Sequence, residues 1–317
     1  MSNWENYNCL VTGGAGFIGS HITETLALKG SKVTILDDLS SGKTDNLKPL
    51  QNMGIKFVHG SILDSEHVDI AFEDIDYVFH QAALISVPES IKNPSSYNKV
   101  NVKGTLNILE KSRKQDVKKV IFASSAAVYG NNPLSPKNES MDPSPQNPYA
   151  KTKLSCENDC LNYNSIYDLP TTSLRYFNVY GPKQDPTSQY ASVIPAFISL
   201  LNDGRAPVVH GDGDQTRDFV YVSDVVQANL KAALSDKADG KILNIATGEH
   251  TTLNTLVSLI IKQMGVDINP KYTASRIGDI RHSLADISMA KKLIDYYPKY
   301  SISQGLVETV SLFNNPP

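Results

Sequence analysis

The chain has 317 residues, of which 40% are hydrophobic and 20% charged, as in a soluble globular protein with one large domain or two that share a core. Its 30 basic and 33 acidic residues leave a net charge of −3. Such a charge does not attract nucleic acid or an anionic membrane surface. The first residues lack a basic segment followed by an apolar run, and no apolar stretch approaches the roughly 18 residues of a membrane span. We therefore expect no signal peptide, no membrane association and no nucleic-acid partner.

The cysteines and histidines give no sign of a disulfide framework or a metal centre. Cys9, Cys156 and Cys160 make an odd set without CxxC spacing, which favours a reducing, cytoplasmic location. The two on the later helix lie four apart and are expected to be packing residues. The seven histidines show no HExxH or Cys/His spacing, so no metal site is predicted.

The first half of the chain alternates short apolar runs with helical patterns. A helix is predicted from residue 17 to Gly30, a long one from about Pro94 to Lys114, and a third opens near Tyr149. The predicted strands are residues 7–13, 32–37, 55–60, 75–83, 117–125 and 170–178. Apolar strands separated by helices indicate a parallel sheet that is covered on both faces and has right-handed crossovers.

After Asn178 this alternation stops. A stretch rich in proline, glycine and polar residues precedes helices predicted at residues 193–204 and 222–234, and residues 241–248 read as a strand that returns to the main sheet. The tail shows one amphipathic helix (253–264), an irregular stretch and a short final helix. The predicted fold class is α/β, a Rossmann-type doubly wound parallel sheet with a smaller α/β C-terminal domain. The predicted domains are 1–178, with a return segment near 220–247, and 179–317, interleaved with the first.

A glycine-rich loop lies between the first strand and the first helix. Gly13, Gly16 and Gly19 allow a tight turn and let the backbone approach a pyrophosphate at the helix N-terminus. Asp37 ends the second strand, where a carboxylate can bind the ribose hydroxyls of an adenosine and repel a 2′-phosphate. Since Lys43 is the nearest basic residue after it, the sequence favours NAD over NADP.

A phenol and an amine stand four residues apart at Tyr149 and Lys153. On a helix such a pair shares one face, with Cβ atoms roughly 5–6 Å apart. Alone, this spacing favours an ordinary exposed helix face. Its context therefore decides how it is interpreted.

That context is a set of motifs in a fixed order: TGGAGFIGSH (12–21), HQAA (80–83), SSAAVYG (124–130), PYAKTK (148–153) and RYFNVYGP (175–182). Together they resemble the extended short-chain dehydrogenase/reductase superfamily over nearly the whole chain. The resemblance implies NAD in the Rossmann domain and a nucleotide sugar in the smaller domain. It also implies that Ser125, Tyr149 and Lys153 are the catalytic residues.

The residue types fit this chemistry. A free tyrosine has a pKa of about 10, and a nearby ammonium and the positive nicotinamide ring would both lower it. The Tyr149 phenolate is then expected to take a proton from a sugar hydroxyl while the adjacent carbon loses a hydride. Ser125 is expected to hydrogen-bond the same sugar oxygen, and Lys153 to donate to the nicotinamide ribose.

The resemblance also implies the remaining cofactor contacts. Besides the three glycines, Asp37, Tyr149 and Lys153, these are Phe17, Ile18, Ser61, Ile62, Ala82, Ala83 and Tyr176. Ser61 is a departure, because the family usually has an aspartate there to accept from the adenine amino group. A weaker adenine contact is therefore expected.

Two alanines limit the types of reaction that the chain is expected to catalyse. Dehydratases and decarboxylases of this superfamily carry acidic residues directly after the strand that ends at Ser125, whereas this chain has Ala126 and Ala127. Elimination is therefore disfavoured, and reversible oxidation at C4 remains, as in the UDP-hexose 4-epimerases that the chain resembles. A non-catalytic NAD-binding regulator on the same fold stays open as a rival from another class.

The substrate contacts implied by the resemblance are, besides Ser125 and Tyr149, Ser86, Asn178, Ser192, Val193, Arg217, Arg276, Asp279 and Ser283. Arginine suits a diphosphate because its fork binds two oxygens, and Asp279 suits the uridine ribose. A tyrosine at the position of Ser283 goes with glucose and galactose in this family, whereas a small residue tolerates an N-acetyl group.

UDP-GlcNAc/UDP-GalNAc is thus the preferred substrate pair. UDP-glucose/UDP-galactose, a bifunctional enzyme and UDP-glucuronate remain alternatives. A homodimer is expected from the resemblance.

Overall fold

The structure is a computed structural model that describes residues 4–185, 192–275 and 281–314, without the side chains of residues 312 and 314. In chain order its strands are β1 (Asn8–Thr12), β2 (Lys32–Asp37), β3 (Lys56–His59), β4 (Tyr77–His80), β5 (Lys119–Ser125), β6 (Thr171–Tyr176), β7 (Asn178–Tyr180), β8 (Val208–His210), β9 (Thr216–Arg217), β10 (Phe219–Tyr221), β11 (Lys241–Ile245), β12 (Thr251–Thr252) and β13 (Lys271–Thr273).

The α-helices are α1 (Phe17–Leu28), α2 (Ser65–Ala71), α3 (Val87–Lys92), α4 (Pro94–Tyr97), α5 (Gly104–Lys114), α6 (Pro148–Tyr167), α7 (Val193–Asn202), α8 (Val222–Ala233), α9 (Leu253–Met264), α10 (Ser288–Ile294) and α11 (Ile302–Asn314). A π-helical segment, Asn98–Lys103, joins α4 to α5 and makes one continuous helix of the predicted stretch. Short 3₁₀ turns occupy Thr44–Leu50, Ala126–Tyr129 and Asp236–Ala238.

The central sheet has seven parallel strands in the order β3-β2-β1-β4-β5-β6-β11. The order of the strands reverses between β1 and β4, and ligands of doubly wound folds bind in the crevice at such a point, outside the carboxyl ends of the strands. The predicted fold class is confirmed. Since β11 pairs with β6 in parallel, with Leu243 opposite Leu174, the predicted return strand is present as well.

Both faces of the sheet are covered, as the apolar strand pattern predicts. Side chains alternate along each strand, so Val11 of β1 packs in the core formed with α1 and α8, and Leu10 packs in the core formed with α2, α5 and α6. Cys156 and Cys160 belong to the second core as buried free thiols. They are packing residues, as expected.

The remaining strands are short and form three pairs: β7 with β10, β8 with β13, and β9 with β12. Helices α7, α9 and α11 share a third core, which includes Phe197, Val257 and Leu306. The tail holds more structure than predicted, since β13 and α10 lie between α9 and the final helix. Both elements are too short for a periodic pattern, and β13 depends on pairing with β8, over 60 residues away. Among the described residues, no helix is long and apolar enough to cross a membrane.

Candidate active site

The glycine loop is built for close backbone packing at the strand-order reversal. Gly13 has φ +70°, and a Cβ atom there would lie 2.7 Å from the backbone N of Ala82. A Cβ on Gly19 would lie 2.1 Å from the carbonyl oxygen of Gly13. Gly16 precedes α1 with extended backbone and caps it without a side chain. The turn thus leaves the first N–H groups of α1 uncovered by side chains, which fits a pyrophosphate. Phe17 and Ile18 form that first turn.

Asp37 holds the glycine loop to the end of β2. Its Oδ2 accepts from the backbone N–H of Ala15 at 2.9 Å, and its Oδ1 accepts from Leu39 N–H at 2.8 Å. Burial raises the pKa of this carboxyl, and the two backbone bonds oppose the shift. Each carboxylate oxygen has a second lone pair, so Asp37 can still accept from a ribose hydroxyl.

The surroundings of Asp37 suit a cofactor without a 2′-phosphate. Lys43 Nζ lies 3.0 Å from a carboxylate oxygen of Asp185, so the nearest lysine in sequence is already paired. Two residues just before Asp185 hold the same segment to α1, since Lys183 pairs with Glu24 at 2.9 Å and His21 Nε2 lies 3.0 Å from the carbonyl oxygen of Pro182.

The adenine end is marked by Ser61 and Ile62, in the turn after β3. Ser61 Oγ accepts from the backbone N–H of Leu63 at 3.2 Å, so part of its acceptor capacity serves the turn. Ile62 is buried, and its carbonyl accepts from Asn107 Nδ2 at 3.0 Å. This placement agrees with the weak adenine contact expected of Ser61, which stays a prediction.

His80 is a buried link that the sequence analysis missed. Its Nδ1 lies 2.6 Å from Thr12 Oγ1, and its Nε2 lies 2.9 Å from Thr105 Oγ1. Because Thr105 donates its own proton to the Asn101 carbonyl, we assign the proton of the ring to Nε2. Burial, with the charge of Lys153, lowers the pKa of His80 to about 3. The motif HQAA contained this residue without indicating its role.

His80 and Thr12 together hold the segment with Ala82 and Ala83 at the crevice. The backbone N–H of Ala82 donates to Thr12 Oγ1 at 3.3 Å. Asn101, in the π-helical segment, continues this support, because its side chain bonds Leu84 N and O and donates to Thr152 Oγ1 at 3.0 Å. Asn101 was also missed, since its partners come from three separate segments.

Ser125, Tyr149 and Lys153 meet at the carboxyl end of β5. Asn147 caps α6 by accepting from Ala150 N–H at 2.9 Å, and Pro148 occupies the first helical position. These signals place Tyr149 in the first turn, where its phenol interacts with the Ser125 side chain. One turn later, Lys153 Nζ donates to the carbonyl of Ala123 at 2.7 Å.

The electrostatics of the pair depart from the sequence-based expectation. Burial raises the pKa of Tyr149, and the interaction with Ser125 opposes the shift. Burial lowers the pKa of Lys153 to about 8. The predicted lowering of the phenol pKa is therefore not seen in the protein by itself, because desolvation of the phenolate is the largest effect on Tyr149. The positive nicotinamide ring, which the expectation included, would have to supply the difference.

Tyr176 and Ser86 use their hydroxyl groups inside the protein. Tyr176 Oη lies 3.0 Å from Asn229 Oδ1 of α8 and 3.3 Å from Gln81 Oε1. Ser86 caps α3 by accepting from Glu89 N–H at 3.2 Å. The contacts predicted for these two residues remain predictions.

The substrate-side residues lie on the short strands and on α7. Asn178 opens β7 and is exposed, and Ser192 and Val193 form the start of α7. Arg217 Nη1 donates to the Thr216 carbonyl at 2.8 Å, and Ser283 N–H donates to the same carbonyl at 3.1 Å. The structure thus brings Arg217 and Ser283 together. The predicted Arg276 and Asp279 lie outside the described residues.

Asp218 organises this region and was not predicted. It is 0% exposed, and its carboxylate accepts from Thr247 N, Thr247 Oγ1, Gly248 N and Ala285 N at 2.6–3.3 Å. Burial raises its pKa, and these bonds oppose the shift. One carboxylate therefore joins β9–β10, the end of β11 and the segment that carries Ser283.

Comparison with known proteins agrees with this geometry. Residues 9–246 match the model of the NAD dependent epimerase/dehydratase family. A putative UDP-glucose 4-epimerase of Methanocaldococcus jannaschii is 41% identical over 96% of this chain and 98% of its own length. The chain belongs to the NAD dependent epimerase/dehydratase family. The superfamily resemblance, an enzymatic role and NAD as the cofactor are thereby confirmed.

Two solved structures of this family are similar throughout. A UDP-N-acetylglucosamine 4-epimerase of Methanobrevibacter ruminantium, in complex with UDP-N-acetylmuramic acid, has a TM-score of 0.94 and 43% identity, and the match covers 99% of this chain and 100% of that one. A UDP-glucose 4-epimerase of Thermotoga maritima, with UDP-glucose, has a TM-score of 0.91 and 42% identity over 97% and 98%.

Proposed function

We propose that the protein is an isomerase, a UDP-sugar 4-epimerase that interconverts UDP-GlcNAc and UDP-GalNAc through a transient 4-keto sugar. The observation that carries the proposal is the meeting of Ser125, Tyr149 and Lys153 beside a glycine loop at the strand-order reversal. The similarity to two 4-epimerases over nearly the whole chain supports it.

In this mechanism Tyr149 moves the proton. Its phenolate accepts the proton of the C4 hydroxyl and later returns it to the 4-keto oxygen on the other face of the sugar. Ser125 donates to the same sugar oxygen, and Lys153 would stabilise the phenolate and hold the nicotinamide ribose when NAD is bound. NAD, when bound, supplies the site that takes the hydride from C4 and gives it back.

The residues after β5 favour epimerisation over elimination. Ala126 and Ala127 form the 3₁₀ turn that follows Ser125, so the turn offers no acid to a leaving hydroxyl. The 4-keto sugar formed by oxidation at C4 is therefore expected to be reduced again rather than to lose water.

Each half of the chain has a proposed ligand. Residues 1–178, with the return segment near 220–247, would hold NAD through the glycine loop, Asp37 and the turn after β3. Residues 179–317 would hold the UDP-sugar. Arg217 lies in the part of this segment that Asp218 organises, and its guanidinium suits the diphosphate.

The choice of N-acetylated sugar rests on Ser283. This residue is small and half-buried, and a serine takes up less space than the tyrosine that goes with glucose and galactose in this family. The similarity to the Methanobrevibacter enzyme supports the same choice. UDP-glucose/UDP-galactose is the second candidate, supported by the Thermotoga enzyme at nearly the same identity. A homodimer through α5 and α6 is a further part of the proposal, which gel filtration tests.

The deciding experiment is incubation of the purified protein with UDP-GlcNAc and, separately, UDP-glucose, without added NAD. We expect C4 epimers from both, with the higher kcat/KM for UDP-GlcNAc. The variant Tyr149→Phe should lose about 10²- to 10⁴-fold in kcat, since it removes the proton carrier, while UDP-sugar binding persists. Full turnover by the variant would overturn the mechanism, and a lack of turnover by the parent protein would favour a non-catalytic NAD-binding regulator.

A further inference from the structure

A buried ion pair lies beneath the proposed catalytic residues. Glu157 on α6 is 0% exposed and Arg175 on β6 is 2% exposed. Arg175 donates to the carboxylate twice, from Nε at 2.9 Å and from Nη2 at 2.7 Å. Removing two charges from water is costly, and an apolar pair of similar volume is often as stable or more stable. Fold stability alone therefore does not account for this pair.

The carboxylate of Glu157 touches the elements that carry the site. Glu157 follows Lys153 by four positions, so both side chains lie on one face of α6. Ser124, the residue before Ser125 on β5, donates its hydroxyl to Glu157 Oε1 at 2.5 Å. Through Ser124 and Arg175, one side chain thus fixes the helix against two neighbouring strands.

The far side of Arg175 supports the residues that follow Ser125. Its guanidinium lies 4.7 Å from the centroid of the Tyr129 ring, and Tyr129 ends the 3₁₀ turn after β5. The Tyr129 hydroxyl donates to Asn244 Oδ1 of β11 at 2.7 Å. The polar chain therefore holds the backbone on both sides of Ser125.

We propose that Glu157 is a positioning residue, which through Arg175 and Ser124 sets where α6 presents Tyr149 and Lys153 relative to Ser125. The proposal rests on the proposed function, because it assigns Glu157 to that same site. A displacement of about 1 Å between reacting groups can cost roughly 10²-fold in rate, so a rigid connection at this place has a direct kinetic consequence.

Glu157 also contributes charge close to the Lys153 amine. Its carboxylate opposes the lowering of the Lys153 pKa that burial causes. The titratable groups near the amine are Cys156, Glu157 and Cys160 on α6 and His80 on β4, and Tyr149 shares the same face of α6. On β5 the carbonyl of Ala123 and the ring of Phe122 contact the amine, and Arg175 on β6 is paired with Glu157. Removal of Glu157 should therefore make the amine titrate at a lower pH.

The main test is the double variant Glu157→Met/Arg175→Met, which removes both charges at similar volume. We expect a melting temperature equal to or above that of the parent, a kcat reduced about 10- to 100-fold and a UDP-sugar KM within about twofold. Unchanged kcat in the folded double variant would overturn the proposal.

A second variant tests the connection to β5 without disturbing the ion pair. Ser124→Ala should lower kcat about fivefold, the effect of one hydrogen bond. The matched control is Asp239→Asn, which breaks the Lys119–Asp239 pair (2.5 Å) at the amino end of β5. The control should lose melting temperature and keep the parent's kcat. If Ser124→Ala keeps the parent's kcat, the proposal fails even where the double variant does not fold.

A direct titration separates this proposal from the proposed function. With ¹³C-labelled lysine, NMR follows the Lys153 side chain against pH in the parent and in Glu157→Gln, which removes only the carboxylate charge, without any substrate. A lower midpoint in Glu157→Gln supports the role of Glu157, and identical midpoints contradict it. Lack of turnover by the parent would refute the epimerase proposal and leave this result standing.

Discussion

The proposed cofactor-binding and substrate-binding halves of the molecule are built in different ways. In the first, Gly13, Asp37, His80 and Ser125 lie at or directly after the ends of β1, β2, β4 and β5, so the parallel sheet brings them to one edge. In the second, the strands that carry the site have two or three residues, and Asp218 joins segments 29 and 67 residues away in the chain. The proposed catalytic and cofactor residues are thus placed by the ends of the long parallel strands, and the proposed substrate residues by contacts between distant segments.

The first prediction tests whether the glycine loop holds the cofactor. Gly19→Ala places a Cβ 2.1 Å from the Gly13 carbonyl, so the loop must shift and the turn for the pyrophosphate is lost. We expect purified Gly19→Ala protein to contain no NAD and to show no turnover without added NAD. The released nucleotide is measured by absorbance after denaturation.

The control is Gly54→Ala, whose Cβ would meet nothing within 4 Å although φ is +68°. This variant carries the backbone strain of a positive φ and should keep its NAD. If Gly19→Ala retains as much NAD as the control, the loop does not hold the cofactor as inferred.

The second prediction concerns acid stability of the cofactor-binding half. The pKa of His80 is lowered from 6.5 to about 3, so between these pH values His80 is protonated in the unfolded chain and neutral in the folded protein. The contribution of neutral His80 to the free energy of unfolding is therefore complete above pH 6.5. Between pH 6.5 and about 3 it is lost by about 1.4 kcal/mol per pH unit as the pH falls.

Urea unfolding of the parent and of His80→Asn at several pH values checks this. Between about pH 6 and 4.5 the unfolding free energy of the parent should fall with pH more steeply than that of His80→Asn. The difference in slope should correspond to roughly one proton taken up on unfolding. Above about pH 7.5 the two slopes should coincide, because histidine is neutral in both states. Equal slopes at acid pH would show that His80 is not neutral in the folded protein.

The third and smallest effect concerns the substrate-binding half. Ser283→Tyr should reduce kcat/KM for UDP-GlcNAc roughly 10- to 100-fold more than for UDP-glucose, because the ring fills the space for the N-acetyl group. Competition between the two sugars in one reaction measures the ratio. Ser288→Tyr, at the exposed first residue of α10, is the control and should leave the ratio unchanged. An equal loss on both sugars would remove Ser283 as the selector.

The halves also differ in what the sequence predicts. The glycine loop, Asp37 and the pair of Tyr149 and Lys153 follow from residues close together in the chain, and the structure places them as strand and helix ends. The roles of Asp218 and His80 could not be predicted, because their partners come from other elements and neither spacing nor composition encodes those contacts. The direction of the Tyr149 pKa was missed for a related reason, since burial is a property of the packed protein.

The strand β11 joins the main sheet from a late position in the chain, and this has a consequence for folding during synthesis. β11 covers the outer edge of β6 and is residues 241–245 of 317. Until these residues leave the ribosome, a nascent chain that has already paired β1 to β6 exposes the unpaired edge of β6, whose N–H and C=O groups can pair with another chain. Chains that end after β6 but before residue 241 are therefore prone to aggregate, although they already contain Ser125, Tyr149 and Lys153.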